Sequence, residues 1–286
     1  MAISLKRVSV FAEGLDHPEC VTTHPDGSLW AGGEAGQIYR ISARGKKVEE
    51  IANTRGFVLG VAISPDARWL AACDLKKQCV WRLDLKSGAL RRFARGFRIP
   101  NHLVFARDGT LYVTDSGAFR QVNGRIFRFD ADHSGRGKVW HRGPFSFANG
   151  IALGLDERDI FVNSTWLPGV ERIEIRSDGS PGRRRVFVRL PRTLPDGLTF
   201  DQRGNLYVSC YTPSRIYKIT PRRKVSVLID DWESHLLAHP TNIVFGGKRC
   251  DQLFAANLGR WHITKIDLGV KGVPLAACAR AQEDDS

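Results

Sequence analysis

Four residues with oxygen-bearing side chains recur at one position of a repeated sequence pattern: Glu19, Asn101, Asn149 and Asp196. Each stands directly before or at the beginning of a short apolar segment. Carboxylate and amide oxygens are hard ligands, so a group of them suits Ca²⁺ first, with Mg²⁺ and Mn²⁺ also acceptable. Zn²⁺ remains an alternative, although the group offers no His or Cys to favour it. The residue types therefore predict one divalent-metal site, provided that the fold gathers them; taken singly, Asp or Asn before a strand is usually a turn residue.

The clearest copy of the pattern runs over residues 194–211 and predicts a β-hairpin. Residues 198–200 and 206–209 are rich in β-forming side chains, and residues 201–204 between them carry the Asp and Gly that are typical of a tight turn. Asp196 lies between Pro195 and Gly197, just before the first strand. A carboxylate contributes nothing to the hairpin there, which makes it a candidate for chemistry.

Six segments of the chain follow this same plan of an apolar strand, a polar turn, a second strand and an alternating third strand. They are residues 17–42, 57–84, 99–130, 147–175, 194–220 and 239–267. The positions that correspond to Asp196 are Glu19, Leu59, Asn101, Asn149 and Thr241, and successive positions are 40, 42, 48, 47 and 45 residues apart. This period is typical of a four-stranded propeller blade, and helical signals are nearly absent. The sequence therefore predicts an all-β, six-bladed β-propeller.

The last repeat lacks a good fourth strand, and the alternating residues 6–11 precede the first repeat. We therefore expect the N-terminal strand to pair into the last blade and to close the ring, which removes an exposed sheet edge. The predicted domain is a single propeller over residues 1–278. Residues 279–286 are predicted to be a polar, frayed tail.

The innermost strand of each blade lines the central channel, so the six corresponding residues should converge at one mouth. Two carboxylates at a narrow mouth would repel each other and resist desolvation, and a bound cation would relieve both effects. We expect Thr241, Leu59 and Asn101 to line the substrate pocket. Residues that follow second strands should form its rim; they are Asp115, Asn163, Thr165, Trp166 and Asn257.

Composition limits the other functions. The formal net charge is +13, from 43 Lys and Arg against 30 Asp and Glu, but the basic residues are scattered and favour a solvated surface over a nucleic-acid site. No apolar run is long enough to span a bilayer, and Lys6 and Arg7 argue against a signal peptide, so we expect a cytoplasmic protein with a small-molecule substrate. The six cysteines form no CxxC pair and are predicted to be free thiols.

The stretches around Pro18-Glu19, Pro100-Asn101, Ala148-Asn149-Gly150 and residues 194–211 resemble the senescence-marker-protein/gluconolactonase/luciferin-regenerating family, which includes regucalcin-like proteins. The resemblance covers roughly residues 11–267. It implies a six-bladed fold with one divalent metal in the channel and a sugar-lactone hydrolase activity. It further implies that Glu19, Asn149 and Asp196 ligate the metal, that Asn101 contacts the metal's water or the substrate, and that Asp196 is also the general base.

Departures from the family pattern concern the substrate. Sugar lactonases of the family often carry an Arg two residues before the Asn101 position and an acidic residue after it. Here those positions hold Ile99 and His102, and Arg98 is one residue out of register. With Leu59, Trp166 and Tyr211 near the mouth, a substrate less polar than a sugar lactone is expected.

The mechanism expected from these residues is metal-assisted opening of a lactone by water, with Asp196 as general base. His102 is a candidate second acid or base, against the alternative of a hydrogen-bonded channel histidine. Cys20 and Cys210 are expected to be packing residues, and His17, His239 and His262 to be structural or exposed. Alternative functions are ester or organophosphate hydrolysis, a lyase or hydratase reaction at the same site, and a non-catalytic propeller scaffold.

Overall fold

The structure is a computed structural model, and it describes residues 2–284 of the chain. Within these residues, six four-stranded antiparallel sheets are arranged as blades around a central channel. The innermost strands of neighbouring blades contact each other in sequence order, and the first blade contacts the sixth. The predicted six-bladed all-β propeller is therefore confirmed.

A short 3-10 helix (Leu5–Arg7) leads into strand β1 (Val8–Glu13). Blade 1 contains β2 (Cys20–Thr23), β3 (Leu29–Gly32), β4 (Gln37–Ile41) and β5 (Val48–Asn53). Blade 2 contains β6 (Val58–Ile63), β7 (Trp69–Asp74), β8 (Cys79–Asp84) and β9 (Leu90–Arg95). Blade 3 contains β10 (Pro100–Phe105), β11 (Leu111–Asp115), β12 (Gly124–Phe129) and β13 (Gly137–Phe145).

Blade 4 contains β14 (Ala148–Leu153), β15 (Asp159–Ser164), β16 (Gly169–Ile175) and β17 (Pro181–Arg189). Blade 5 contains β18 (Leu194–Phe200), β19 (Leu206–Thr212), β20 (Arg215–Ile219) and β21 (Val225–Asp230). Blade 6 contains β22 (Pro240–Gly246), β23 (Gln252–Asn257), β24 (His262–Asp267) and, as its outer strand, β1.

Closure of the ring depends on β1. This strand pairs antiparallel with β24, from Val8 opposite Ile266 to Glu13 opposite His262. The N-terminal strand thus completes blade 6, as predicted. Because a propeller blade with only three strands would leave the edge of β24 unpaired, this pairing also removes a site for aggregation.

Burial decreases from the channel outward within each blade. All six residues of β6 and of β7 are buried, which explains their continuous apolar sequences. The outer strand β17 has only partly buried and exposed residues and carries Arg183, Arg184 and Arg185. The core lies between blades: Trp69 of blade 2 packs edge-to-face on Phe105 of blade 3, with ring centroids 5.2 Å apart.

The C-terminal segment crosses one end of the channel. Val273 N–H donates to the Phe200 carbonyl at 2.9 Å, and Gly272 pairs with Asp201 as an isolated bridge. Helix α1 (Ala276–Asp284) follows, and Ala277 packs between blades 1 and 2. The expectation of a frayed tail from residue 279 is thus wrong as far as residue 284, because Ala277 and Ala279 are buried against the blades; residues 285 and 286 lie outside the described part.

Candidate functional site

The six corresponding positions lie where the inner strands begin, and all six open onto the same end of the channel, which we call the top mouth. The hairpin turns between first and second strands, such as residues 24–27, lie at the opposite end, the bottom mouth. Glu19, Asn101, Asn149 and Asp196 come from blades 1, 3, 4 and 5. The fold therefore brings together four oxygen-bearing side chains that are up to 177 residues apart in sequence.

The two carboxyl groups lie close enough to influence each other. Burial raises the pKa of Glu19 well above its usual value of 4.5, and the neighbouring Asp196 carboxylate raises it further. Burial likewise raises the pKa of Asp196 well above 3.8, although a hydrogen bond from Asn149 opposes the shift. Without a compensating positive charge, both groups therefore resist ionisation at the top mouth.

Two oxygens of this cluster have no hydrogen-bond partner among the described residues: Oε2 of Glu19 and Oδ1 of Asn149. Both residues are buried. The Asn149 amide is oriented by its Nδ2, which donates to Thr165 Oγ1 at 3.2 Å, so its Oδ1 is left available. Asn101 is oriented in a similar way, since its Nδ2 donates to Ser116 Oγ at 3.0 Å. Buried polar atoms are rarely unpaired, so these oxygens indicate a ligand.

Glycines directly after site residues allow the inner strands to approach closely. A Cβ atom at Gly150 would lie 2.1 Å from the Asp196 carbonyl oxygen. At Gly197 it would lie 2.6 Å from the Cα of Asn242. The Asn149-Gly150 and Asp196-Gly197 pairs thus combine a ligand with the small residue that lets the next blade come near.

Hydrogen bonds between neighbouring blades, which the sequence did not predict, hold the backbone of two site residues. Thr114 Oγ1 donates to the Asn149 carbonyl at 2.8 Å, and Asn163 Nδ2 donates to the Asp196 carbonyl at 2.6 Å. Each donor is the next-to-last residue of a second strand and holds the backbone of the site residue in the following blade. The detectable signal is a polar residue at the end of an otherwise apolar buried strand. Asn163 and Thr165 were predicted as rim residues, but they support the site. Thr165 Oγ1 donates a hydrogen bond to the Pro195 carbonyl.

His102 and Asn242 form a hydrogen bond across the channel, since blades 3 and 6 face each other. Asn242 Oδ1 accepts from Val21 N–H, so its Nδ2 donates to His102 Nε2, at 2.6 Å. The His102 proton therefore lies on Nδ1. Burial lowers the pKa of His102 to about 4, which keeps the imidazole neutral at pH 7. Of the two roles that the sequence left open for His102, these contacts favour the hydrogen-bonded channel histidine, because Asn242 occupies Nε2 and the charged form is disfavoured.

Other predicted pocket residues divide into rim and support. Asp115 is fully buried and accepts from the Ile99 and Arg98 backbone and from Arg125 Nε, so it shapes the loop before Asn101 and does not line the pocket. Thr241 Oγ1 donates to the Glu19 carbonyl at 2.7 Å.

Asn257 is also buried, and it binds backbone groups such as Ala238 N–H. Leu59 is buried at the beginning of β6, whereas Trp166 and Tyr211 remain partly exposed at the rim.

The cysteines are free thiols, as predicted, and five of the six are buried. Burial raises the pKa of Cys210 to about 12 and raises that of Cys20 as well. Neither thiol is therefore an activated nucleophile.

At the other end, a cavity of about 90 Å³ occupies the lower channel. It is lined mainly by apolar side chains, including Val61, Leu103 and Ile151, and is closed by residues 273–276.

Comparison with known proteins fits this geometry. The chain belongs to the SMP-30/gluconolactonase/LRE-like family, whose model matches residues 94–257, more than half of its 286 residues. A second model, strictosidine synthase-like N-terminal, matches residues 4–41. None of the helices within residues 2–284 has the length and hydropathy needed to cross a membrane.

Among curated relatives, a gluconolactonase of Zymomonas mobilis is 27% identical over 188 residues, which cover 57% of this chain and 51% of the relative. Regucalcin of Gallus gallus is 25% identical over 173 residues, covering 53% of this chain and 54% of that protein. The chain thus spans about half the length of the curated relatives it matches.

Solved structures share the fold over nearly the whole chain. A gluconolactonase from Xanthomonas campestris superposes with a TM-score of 0.76 at 19% identity, covering 93% of this chain and 89% of that one. A calcium-binding protein, regucalcin, from Agrobacterium tumefaciens gives a TM-score of 0.78 at 15% identity, covering 93% and 95%.

Proposed function

We propose that the protein is a divalent-metal-dependent hydrolase that opens lactones at the top mouth. The observation that carries this proposal is the pair of buried, unpartnered oxygens, Glu19 Oε2 and Asn149 Oδ1, beside a second carboxylate on Asp196. Relatives named gluconolactonase and lactonase support the choice of reaction.

The residues at the top mouth fit a divalent cation. Three residues supply hard oxygens, and two of them bring carboxylates whose mutual repulsion a cation would offset. Within the described residues, no three His, Cys, Asp or Glu side chains form a group that could hold a metal ion. We assign the amide oxygen of Asn149 as the third ligand beside Glu19 and Asp196, because this oxygen is buried and unpartnered. Ca²⁺ is the cation that we favour, and the regucalcin structure described as a calcium-binding protein is in line with that choice.

When bound, the cation supplies Lewis acidity that polarises the ester carbonyl and acidifies water. Asp196 accepts the proton of the attacking water. Such assistance by a positioned base contributes about 10²–10⁴-fold to a rate. Asn101 is held by Ser116 with its amide facing the same space, and we assign it to orienting the water or the substrate carbonyl.

The test is a panel of lactones, aryl esters and phosphotriesters, assayed with and without a chelator. The proposal predicts chelator-sensitive lactone hydrolysis that is restored by Ca²⁺ and absent in Asp196→Ala. Turnover of phosphotriesters without turnover of lactones would show that the proposed reaction is wrong and that the proposed site is right. No turnover of any substrate, together with unchanged stability in the chelator, would favour a non-catalytic scaffold.

A further inference from the structure

Five aromatic or imidazole rings lie along the top rim from blade 3 to blade 6, in two separate groups of contacting rings. Phe119, Phe147 and Trp166 contact one another with centroid separations of 6.2, 5.4 and 5.5 Å. Further around the rim, Tyr211 and His239 stack at 4.6 Å with an interplanar angle of 25°. We call these five residues the aromatic arc.

The aromatic arc borders the part of the mouth that holds Asn149 and Asp196. Phe147 lies two residues before Asn149, and Trp166 follows Thr165, the residue that orients the Asn149 amide. Tyr211 follows Cys210, which pairs across the sheet with Pro195, the neighbour of Asp196. A molecule bound at Asn149 and Asp196 would therefore lie beside these rings.

Two of the five rings are carried by backbone conformations that non-glycine residues seldom adopt. Phe147 has φ = 64° and His239 has φ = 51°, both in the left-handed region. His239 is further fixed because its Nδ1–H donates to the Tyr211 carbonyl at 2.7 Å. Strained residues of this kind cluster at ligand sites, where the strain presents a side chain in a required position.

Phe119 remains 61% exposed although two other rings contact it. The Arg120 guanidinium lies over the Phe119 ring, 5.6 Å from its centroid, and the exposed part of the ring is available for offset or edge-to-face contacts with a ligand ring. Large exposed apolar groups also mark interaction sites in general.

The rim positions that precede the site residues are largely apolar, and charged side chains flank two of them: Glu34 lies 3.7 Å from His17, and Lys76 lies over the Phe57 ring. The six residues that stand two positions before the site positions are all partly exposed, and none is Asp, Glu, Lys or Arg; they are His17, Phe57, Ile99, Phe147, Leu194 and His239. A polyhydroxylated ligand would have to bury hydroxyl groups against apolar side chains at most of these positions, which is unfavourable without hydrogen-bond partners.

We propose that the aromatic arc selects lactones fused to, or carrying, a planar aromatic ring, in preference to sugar lactones. This inference rests on the proposed lactonase function and specifies its substrate class. In the reaction, the oxygen of water bonds to the carbonyl carbon and the ring C–O bond breaks. One proton of the water goes to the released oxygen and the other to the new carboxylate, which gives a hydroxy acid that carries the aromatic ring.

The experiment compares kcat and KM for a benzo-fused δ-lactone and an aldono-δ-lactone, using the Ca²⁺-loaded full-length protein. Wild type is expected to favour the benzo-fused lactone at least about tenfold in kcat/KM. Phe119→Ser should lower that preference about 3- to 10-fold, mainly through KM, because it removes a rim contact remote from the reacting carbonyl. Trp232→Ser is the matched control, since Trp232 is 88% exposed beyond the outer strand of blade 5.

A preference of the wild type for the aldono-δ-lactone would overturn the inference, as would an equal effect of Phe119→Ser and Trp232→Ser. Calorimetric titration with a benzo-fused δ-lactam, which resists hydrolysis, separates the two proposals. Binding that weakens in Phe119→Ser, without turnover of any lactone, would support the aromatic ligand and reject the lactonase. Turnover of lactones without binding of the lactam would support the lactonase and reject the aromatic ligand.

Discussion

The two mouths of the channel are formed by the same six strands, but the carboxyl groups at the two mouths have different partners. At the bottom mouth, Glu157 accepts the Arg107 backbone N–H at 3.1 Å, and the Arg107 side chain lies 3.8 Å away. At the top mouth, Glu19 keeps an unpartnered oxygen and faces a second carboxyl group instead of a cation. A carboxylate with an internal partner, such as the half-buried Glu157, belongs to the fold, whereas a buried one without a partner indicates a ligand.

Closure differs as well. Residues 273–276 cover the bottom mouth, and the cavity above them is largely apolar. The top mouth is bordered on the side of blades 3 to 6 by rings that are partly or largely exposed. The comparison therefore assigns ligand binding to the top and stability to the bottom, and paired substitutions at the two ends can break or sharpen it.

The largest expected difference is in activity. Asp196→Asn removes the proposed base with little change in shape and should lower kcat about 10²–10⁴-fold in the presence of Ca²⁺. Glu157→Gln, the matched carboxylate change at the bottom, should leave kcat within about twofold. Steady-state kinetics of both variants on one lactone checks this, and equal losses would contradict the division between the mouths.

Two glycines four residues apart, Gly150 on β14 and Gly154 directly after that strand, provide a test of packing. Gly150→Ala should destabilise the protein by about 3 kcal/mol, because the added Cβ would lie 2.1 Å from the Asp196 carbonyl oxygen. Gly154→Ala should change the free energy of unfolding by less than about 1 kcal/mol, since the nearest atom is at an ordinary 3.5 Å. Urea denaturation measures both, and a tolerated Gly150→Ala would show that close blade approach at the top is unnecessary.

Stability of the chelated protein should depend on pH in a defined direction. The pKa values of Glu19 and Asp196 are raised in the folded state from 4.5 and 3.8, so the folded protein binds their protons more tightly than the unfolded chain does. Their contribution is complete below about pH 4 and is lost as the pH rises through the folded-state values. In the presence of chelator, the Tm of the wild type should therefore decrease more between pH 5 and pH 8 than the Tm of Asp196→Asn does.

Excess Ca²⁺ should reverse that loss at pH 8, by about 2.7 kcal/mol at 100 times the dissociation constant. Thermal unfolding with and without the cation measures this effect. If wild type and Asp196→Asn show the same pH dependence, the carboxyl groups do not interact as described.

The smallest expected effect is spectroscopic. His102, just below the site, should remain neutral with its proton on Nδ1 down to about pH 5, because burial lowers its pKa to about 4 and Asn242 occupies Nε2. Nitrogen-15 NMR of the imidazoles distinguishes the tautomers. If the pKa of His102 lies near its ordinary value of 6.5, a role as second acid or base is supported instead.

The fold and the clustering of site residues were predictable because both depend on the repeat. Glu19 and Asp196 occupy the same position in their blades, and in a closed ring of blades this position always lies at the same end of the channel. The closing strand was predictable for the same reason, since blade 6 lacked a partner that residues 6–11 could supply.

Contacts between non-equivalent positions were not predictable. His102 and Asn242 meet across the channel from opposite blades, and nothing in their spacing indicates this hydrogen bond. Asp115 was predicted to be a pocket residue, but its carboxylate accepts hydrogen bonds from the backbone of the loop around it. Helix α1 follows a segment with no repeat at all, and its burial depends on the shape of the finished ring.

Calorimetric titration of the chelator-stripped protein with CaCl₂ tests the central claim most directly. Wild type should bind one cation per chain, Glu19→Gln and Asp196→Asn should lose most of that affinity, and Glu157→Gln should retain it. If wild type binds no divalent cation, or if both top-mouth variants bind it as wild type does, the top mouth is not a metal site.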